Sequence, residues 1–327
     1  MMFFGLTLTG IIPVNAQQNI QFTQYIFNSL SVNPAYAGYK EEWFGQLALR
    51  SQWTDINGAP KTGQFSVDGI LDPEYKRMGL GVQVTADKLG PQSAVSAYAN
   101  YAYRLQLDAA DTKRLSFGIG LGVTNYGLDA TMLSAVGPND PNLNRGQLNS
   151  VVPNARVGVY YYDPQFYVGA SIMDLFSSDK QNGVLTADDY SMENIKRRRH
   201  VYLIAGILTN LSEDVKLKPG ILVKEDFKGP TSLDLNGMFI FADRIWLGAS
   251  YRTGINLWKK DYNRDLDLTR LNSLAGIAQF YVSDHLRIGY SYDHLLNDLG
   301  NSGGTHEISL GFTLSKKSRR LVSPRFF

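Results

Sequence analysis

Chemistry in a protein needs reactive side chains at workable spacings, and this chain offers few. The four histidines, His200, His285, His294 and His306, are far apart or nine and twelve residues from their neighbours, and there is no cysteine. That excludes the usual ligand spacings of a metal site, a disulfide framework and a thiol nucleophile. The run Asp261-Tyr262-Asn263-Arg264-Asp265-Leu266-Asp267 opens like a calcium loop. However, Leu266 stands where the sharp turn needs glycine, and Asn272 stands where the bidentate glutamate belongs, so the run reads as a solvated acidic loop. Gly118-Ile119-Gly120-Leu121-Gly122 resembles a phosphate-cradling loop in glycine content, yet it lies inside an alternating segment and not between a strand and a helix. No Gly-x-Ser-x-Gly elbow is present. The expectation is a chain without catalytic residues, metal or cofactor. A formal net charge of +2 also argues against a nucleic-acid partner.

The charged residues are more informative when placed on elements. From Trp43 onward apolar residues recur at every second position, the signature of strands. Val95, Ala97, Ala99, Tyr101, Tyr103, Leu105 and Leu107 alternate with Ser96, Tyr98, Asn100, Ala102, Arg104 and Gln106. Leu115, Phe117, Ile119, Leu121 and Val123 alternate with Ser116, Gly118, Gly120, Gly122 and Thr124. Such a pattern suits a soluble sandwich or a membrane barrel, and the connections decide between them. Strands are predicted near 43–53, 61–71, 78–87, 94–107, 113–125, 152–162, 166–174, 200–210, 215–224, 231–241, 244–252, 272–282, 285–292 and 306–314. Connections then alternate strictly, with tight turns such as Asp163-Pro164-Gln165, Ala242-Asp243 and Ser283-Asp284 on one side and long stretches around 126–151, 175–199 and 253–271 on the other. This is the habit of outer-membrane barrels, with short periplasmic turns and long external loops. The fold class is therefore an all-β, transmembrane, antiparallel up-and-down barrel of about fourteen strands, and an even count puts both termini on the periplasmic side.

On that frame Arg50, Arg104, Arg156, Arg252 and Arg287 share the polar faces of their strands. An arginine facing lipid would cost about 2–4 kcal/mol near the midplane, so all five point into the lumen, with Asp68, Asp87, Asp234 and Glu307 as expected company. Lys196-Arg197-Arg198-Arg199 falls where a long external loop meets a strand, and it suits either lipopolysaccharide phosphates or a hydrated rim. Lys316-Lys317-Ser318-Arg319-Arg320 follows the last strand, and it suits either an acidic periplasmic partner or a solvated tail.

The chain begins with an apolar stretch, Phe3 to Val14, that ends in Val14-Asn15-Ala16. Residues 1–16 read as a signal peptide cut after Ala16, although the stretch lacks the usual Lys or Arg and an ordinary N-terminal strand is the other reading. Residues 17–40 show no alternation and carry Asn33-Pro34, a turn former, so they form an irregular segment. It either packs under the barrel in the periplasm or enters the lumen and plugs it, where irregular backbone is tolerated. Residues 41–315 make the barrel and 316–327 the basic periplasmic tail, including Lys316, Lys317, Arg319 and Arg320.

The most specific stretch is Gln21-Phe22-Thr23-Gln24-Tyr25-Ile26-Phe27-Asn28-Ser29-Leu30-Ser31-Val32-Asn33-Pro34-Ala35-Tyr36-Ala37-Gly38. It is followed by Arg50-Ser51-Gln52-Trp53 and Gly58-Ala59-Pro60-Lys61-Thr62. Together with the last strand and the closing Ser323-Pro324-Arg325-Phe326-Phe327, it closely resembles the PorP/SprF family of Bacteroidota. The resemblance implies an outer-membrane barrel of the type IX secretion and gliding machinery that helps secreted adhesins cross or attach to the surface. It also implies periplasmic contacts with subunits of that machinery. Phe22, Tyr25, Asn33, Pro34, Tyr36, Gly38, Arg50, Trp53 and Pro60 are the family-motif positions that become candidate contact residues. Two functions from other classes compete with this one. A passive channel or hydrophobic-solute carrier requires an open lumen, and an outer-membrane enzyme requires clustered acid, base or nucleophile groups at the outer rim.

Overall fold

The computed structural model describes residues 21–132, 146–176, 198–227, 229–258, 260, 272–296 and 303–314. Its architecture is a closed antiparallel barrel in which each strand pairs with its neighbours in sequence. The strands are β1 (Phe44–Ser51), β2 (Lys61–Ile70), β3 (Met78–Leu89), β4 (Gln92–Gln106), β5 (Arg114–Asp129), β6 (Gln147–Tyr162) and β7 (Phe166–Met173). They continue as β8 (His200–Ile207), β9 (Thr209–Asn210), β10 (Val215–Glu225), β11 (Thr231–Phe241), β12 (Ile245–Ile255), β13 (Ser273–Tyr281), β14 (Leu286–Leu295) and β15 (Thr305–Thr313). Both β8 and β9 pair with β10, so these two segments are one strand and the wall has fourteen. The interruption falls opposite Pro219 of β10, whose nitrogen has no hydrogen to give to the ladder. Leu208 instead donates its N–H to Gln165 O at 2.6 Å. Pairing of β1 with β15, from Phe44 with Thr313 to Ser51 with His306, closes the barrel and leaves no free edge.

Period-two alternation places the bulky residues outside. Val95, Tyr101, Phe117, Ile119, Leu121, Leu247 and Ile308 are exposed, while Asn100, Arg104, Ser116, Arg287, Glu307 and Ser309 are buried. An apolar exterior around a polar, occupied interior is the reverse of a soluble fold and suits lipid outside. Among the described residues no helix is long and apolar enough to cross a membrane, a test that says nothing of strands.

One feature of the connections departs from expectation. The turn between β3 and β4 is only Gly90-Pro91, although it lies on the side expected to carry long loops, and the connections 71–77 and 107–113 on the other side are longer. Gly90 has a positive φ of 54° and its N–H reaches Gly58 O at 2.8 Å, so the tight turn leans on the neighbouring connection. The connections 130–146, 174–199 and 256–272 still mark one rim as the long-connection end. The strand ends nearest to it include Ser51, Lys61, Leu295 and Thr305.

Candidate functional site

Residues 22–39 run through the lumen and form its core. Three short 3-10 turns, Thr23–Phe27, Ser29–Ser31 and Pro34–Tyr36, carry the segment, and Phe22, Tyr25, Phe27, Leu30, Ala35, Tyr36, Ala37 and Tyr39 are all buried. Short 3-10 turns leave many backbone groups without an internal partner, so the barrel wall must supply partners. It does so at each level, and the plugging alternative for this segment is the one realised.

The first level lies towards the long connections. Glu307 accepts the N–H of Thr23 at 2.8 Å and of Gln24 at 3.0 Å, and Thr23 Oγ1 donates to Asp293 at 2.6 Å. Arg50 clamps both acids, at 2.9 Å from Glu307 and 2.7 Å from Asp293. These wall residues sit within three positions of the long-connection ends of β1, β14 and β15. The first described residues of the chain therefore lie inside the barrel towards that end. Beside them Tyr25 donates to Asp234 at 3.3 Å and accepts from Asn236 at 2.6 Å, while Arg252 binds Asp234 at 2.8 Å.

Towards the short-turn end, Phe27 meets Trp246, the second residue of β12, edge to face at 5.4 Å, and its ring lies 5.2 Å from the guanidinium of Arg287, the second residue of β14. Asn33 then makes the densest set of bonds. Its side-chain oxygen caps the turn by accepting Ala35 N–H at 2.9 Å, with Pro34 at the first turn position. Its amide nitrogen donates to Val159 O at 3.0 Å and Ala170 O at 3.2 Å in β6 and β7. Ser116 donates to Ala35 O at 2.7 Å and Ser171 to Val32 O. The wall has no side chains where the segment presses closest. A Cβ on Gly79, Gly118 or Gly158 would lie 2.0 Å from Ala37 O, 2.2 Å from Ala35 N and 2.1 Å from Asn33 Oδ1, respectively. Gly38 turns the chain with a φ of 73° and gives its N–H to Asp68 at 2.9 Å.

At the short-turn rim Tyr36, Tyr39, Tyr160 and Tyr162 pack with ring centroids 4.7–6.2 Å apart. Arg104 joins Tyr162 at 2.5 Å and Glu41 at 3.1 Å, and Lys76 adds a second cation to Glu41 at 2.8 Å.

The motif residues therefore divide. Phe22, Tyr25, Asn33, Pro34, Tyr36, Gly38 and Arg50 belong to the lumen segment or its clamp. Trp53 and Pro60 lie in the connection after β1, where Gln52 N–H bonds Pro60 O at 2.9 Å and Ile56 N–H bonds Trp53 O at 2.9 Å. Lys316, Lys317, Arg319 and Arg320, residues 1–20, Lys196-Arg197 and the acidic run 261–267 fall outside the described residues. The expected arginine partners are half right. Arg50 takes Glu307 and Arg252 takes Asp234, but Asp68 serves Gly38 N–H and Asp87 accepts from Thr62 at 2.5 Å. Both of those acids sit where a nearer donor satisfies them. Asp293 and Glu41 were missed as acids of the lumen. Asp293 shares the inward register of Arg287 and Ser291, which was the available signal. The histidines do not converge: His200 is buried beside Arg198 O at 2.9 Å, and His306 meets Tyr290 at 2.8 Å on the outer face.

A closed antiparallel wall, apolar outside and filled inside by the chain's own segment, defines an outer-membrane β-barrel with a lumen segment. Within that class the chain belongs to the family described as type IX secretion system membrane protein PorP/SprF, whose model matches residues 14–312. No curated protein matches the chain. Among solved structures it is similar to the Ralstonia pickettii toluene transporter TbuX, at 8% identity over 87% of this chain and 92% of that one, with a TM-score of 0.52. A Pseudomonas aeruginosa FadL homologue matches at 9% identity over 89% and 94%, TM-score 0.46. The Acinetobacter baumannii outer membrane protein Omp33 matches at 10% identity over 84% and 100%, TM-score 0.43. At such identities the likeness concerns the barrel fold alone.

Proposed function

We propose that this barrel assists the export or surface attachment of adhesin-like cargo by the type IX secretion and gliding machinery, through protein-protein contacts and without catalysis. The observation that supports this over a passive channel is the lumen filled by residues 22–39 and anchored to the wall at three depths. A solute pathway would need that space. In this reading the short-turn rim and the C-terminal tail face periplasmic subunits of the machinery, and the long connections face outside, where they meet cargo and lipopolysaccharide.

The rival reading, a channel or hydrophobic-solute carrier, is tested by conductance of the purified full chain in planar bilayers. The lumen segment should keep the membrane silent apart from rare brief openings. A steady ohmic current from every inserted barrel would favour the channel.

A further inference from the structure

The lumen segment leaves one space beside it. A cavity of about 120 Å³ lies between Phe22, Tyr25 and Val32 of the segment and the wall of β2, β3, β4 and β6, in the long-connection half of the barrel. Its most telling lining residue is Arg156, which is buried in the lumen. Two of its five N–H donors are used, by Asn100 Oδ1 at 2.8 Å and Gln83 Oε1 at 2.9 Å, and its guanidinium stacks 4.4 Å from the Tyr98 ring. Both hydrogen-bond partners are neutral. Among the described residues no carboxylate lies within ion-pair distance of Arg156, unlike Arg50, Arg104, Arg114 and Arg252, each of which has one.

A second observation points the same way. Gln64, 3% exposed, lines the same cavity, and its amide nitrogen has no hydrogen-bond partner. The side-chain nitrogen of Gln21, from the segment, also lines the space and is also without a partner. Buried donors left unmade cost free energy, and a cluster of them around a cation with no ion-pair contact is complementary to an anion. The acid on the cavity wall, Asp174, is held by Asn154 at 2.7 Å and lies 3.9 Å from the His200 ring. Its charge also acts on Arg156, from beyond ion-pair distance.

From this geometry we infer that the cavity is a binding site for a single carboxylate, with Arg156 as its charge partner and the amides of Gln64 and Gln21 as further donors. One cation without an ion-pair contact, with Asp174 near by, matches a monoanion better than a phosphate dianion. The planar guanidinium beside an amide also suits a planar two-oxygen group. The space admits a carboxylate with a few carbons, so the group arrives either as a small free acid or as the end of a side chain on a peptide.

The test uses the full-length barrel in detergent and two probes: ¹³C-carboxyl propionate, and a short peptide with one labelled glutamate and blocked ends. Saturable shifts in the carbon spectrum of either probe are expected with the unaltered protein. Propionate binding would identify a free acid as sufficient, and binding of the peptide alone would identify a chain-borne group. Arg156→Gln should weaken whichever probe binds by about tenfold or more, the loss expected for a charge-assisted pair. Gln64→Leu should weaken it by a smaller factor, and Arg244→Gln, in an exposed turn, should leave it unchanged. Heat-modifiable migration reports that each variant retains the barrel. If Arg156→Gln does not fold, the Gln64→Leu comparison decides. The inference is overturned if neither probe saturates with the folded unaltered protein, or if the folded variants bind as well as it does.

Discussion

Replacing Glu307 by glutamine should loosen the plug while leaving the wall intact. Glu307 is fully buried and receives three hydrogen bonds: two from the backbone of Thr23 and Gln24, at 2.8 and 3.0 Å, and one from Arg50 at 2.9 Å. All three partners are donors. The amide of a glutamine offers one acceptor oxygen and sets its own N–H groups against the others, so at least one charge-assisted bond is lost and one donor is left unmet. Hydrogen bonds to charged groups contribute about 1.5–3 kcal/mol each, so the anchor should weaken by about 2–4 kcal/mol. Arg50 keeps Asp293 at 2.7 Å, which limits the damage to the anchor. The wall at this point is held by β15 ladders to both β1 and β14, which the substitution does not touch. Because the chain has no cysteine, a single Ser29→Cys reporter on the buried segment can be labelled without background. If labelling occurs from locally opened states, the rate should rise about 30-fold or more in Glu307→Gln. Labelling within twofold of the parent, with heat-modifiable migration unchanged, would refute the claim that this acid anchors the segment.

Three further outcomes follow from the same contacts. Gly118→Val places its Cβ where Ala35 N lies 2.2 Å away, so the segment cannot seat; planar bilayers should record open-channel currents from a barrel that is otherwise closed. Asn33→Ala removes three hydrogen bonds, to Ala35 N, Val159 O and Ala170 O, and should lower segment stability by about 2–4 kcal/mol as read from Ser29→Cys labelling in urea. Asn33→Asp should be worse, because a carboxylate would face two carbonyls. An epitope inserted between Gly137 and Asp140 should be reached by antibody on intact cells and one appended after Phe327 should not, if the long connections face outside.

Much of the wall was legible from alternation, because a barrel strand has lipid on one side and the lumen on the other and its side chains record that difference residue by residue. Leu115 to Val123 shows the limit of this reading. The outward apolar set gave the strand, and the inward glycines gave the space, but nothing local said what would fill it. Gly118 and Gly158 make room for Ala35 and Asn33, residues over eighty positions away in the chain. Long-range partners of this kind leave no periodic trace. The inward direction of the arginines was legible from the expense of placing charge in lipid, but their partners depended on which donors the segment brought in. Asp68 was taken by Gly38 N–H, while Asp293 and Glu41 became partners of Arg50 and Arg104. The Gly90-Pro91 turn was missed because β3 and β4 continue to Leu89 and back from Gln92, through polar residues that read as loop.

The central claim, a plugged barrel that acts through contacts within the type IX machinery, is tested most directly by affinity purification of the tagged full chain from gently solubilised native membranes, with mass spectrometry of what accompanies it. Stoichiometric recovery of secretion-machinery subunits or of a large surface adhesin is the expected result. Recovery of the barrel alone under conditions that keep the rest of the machinery assembled would contradict it.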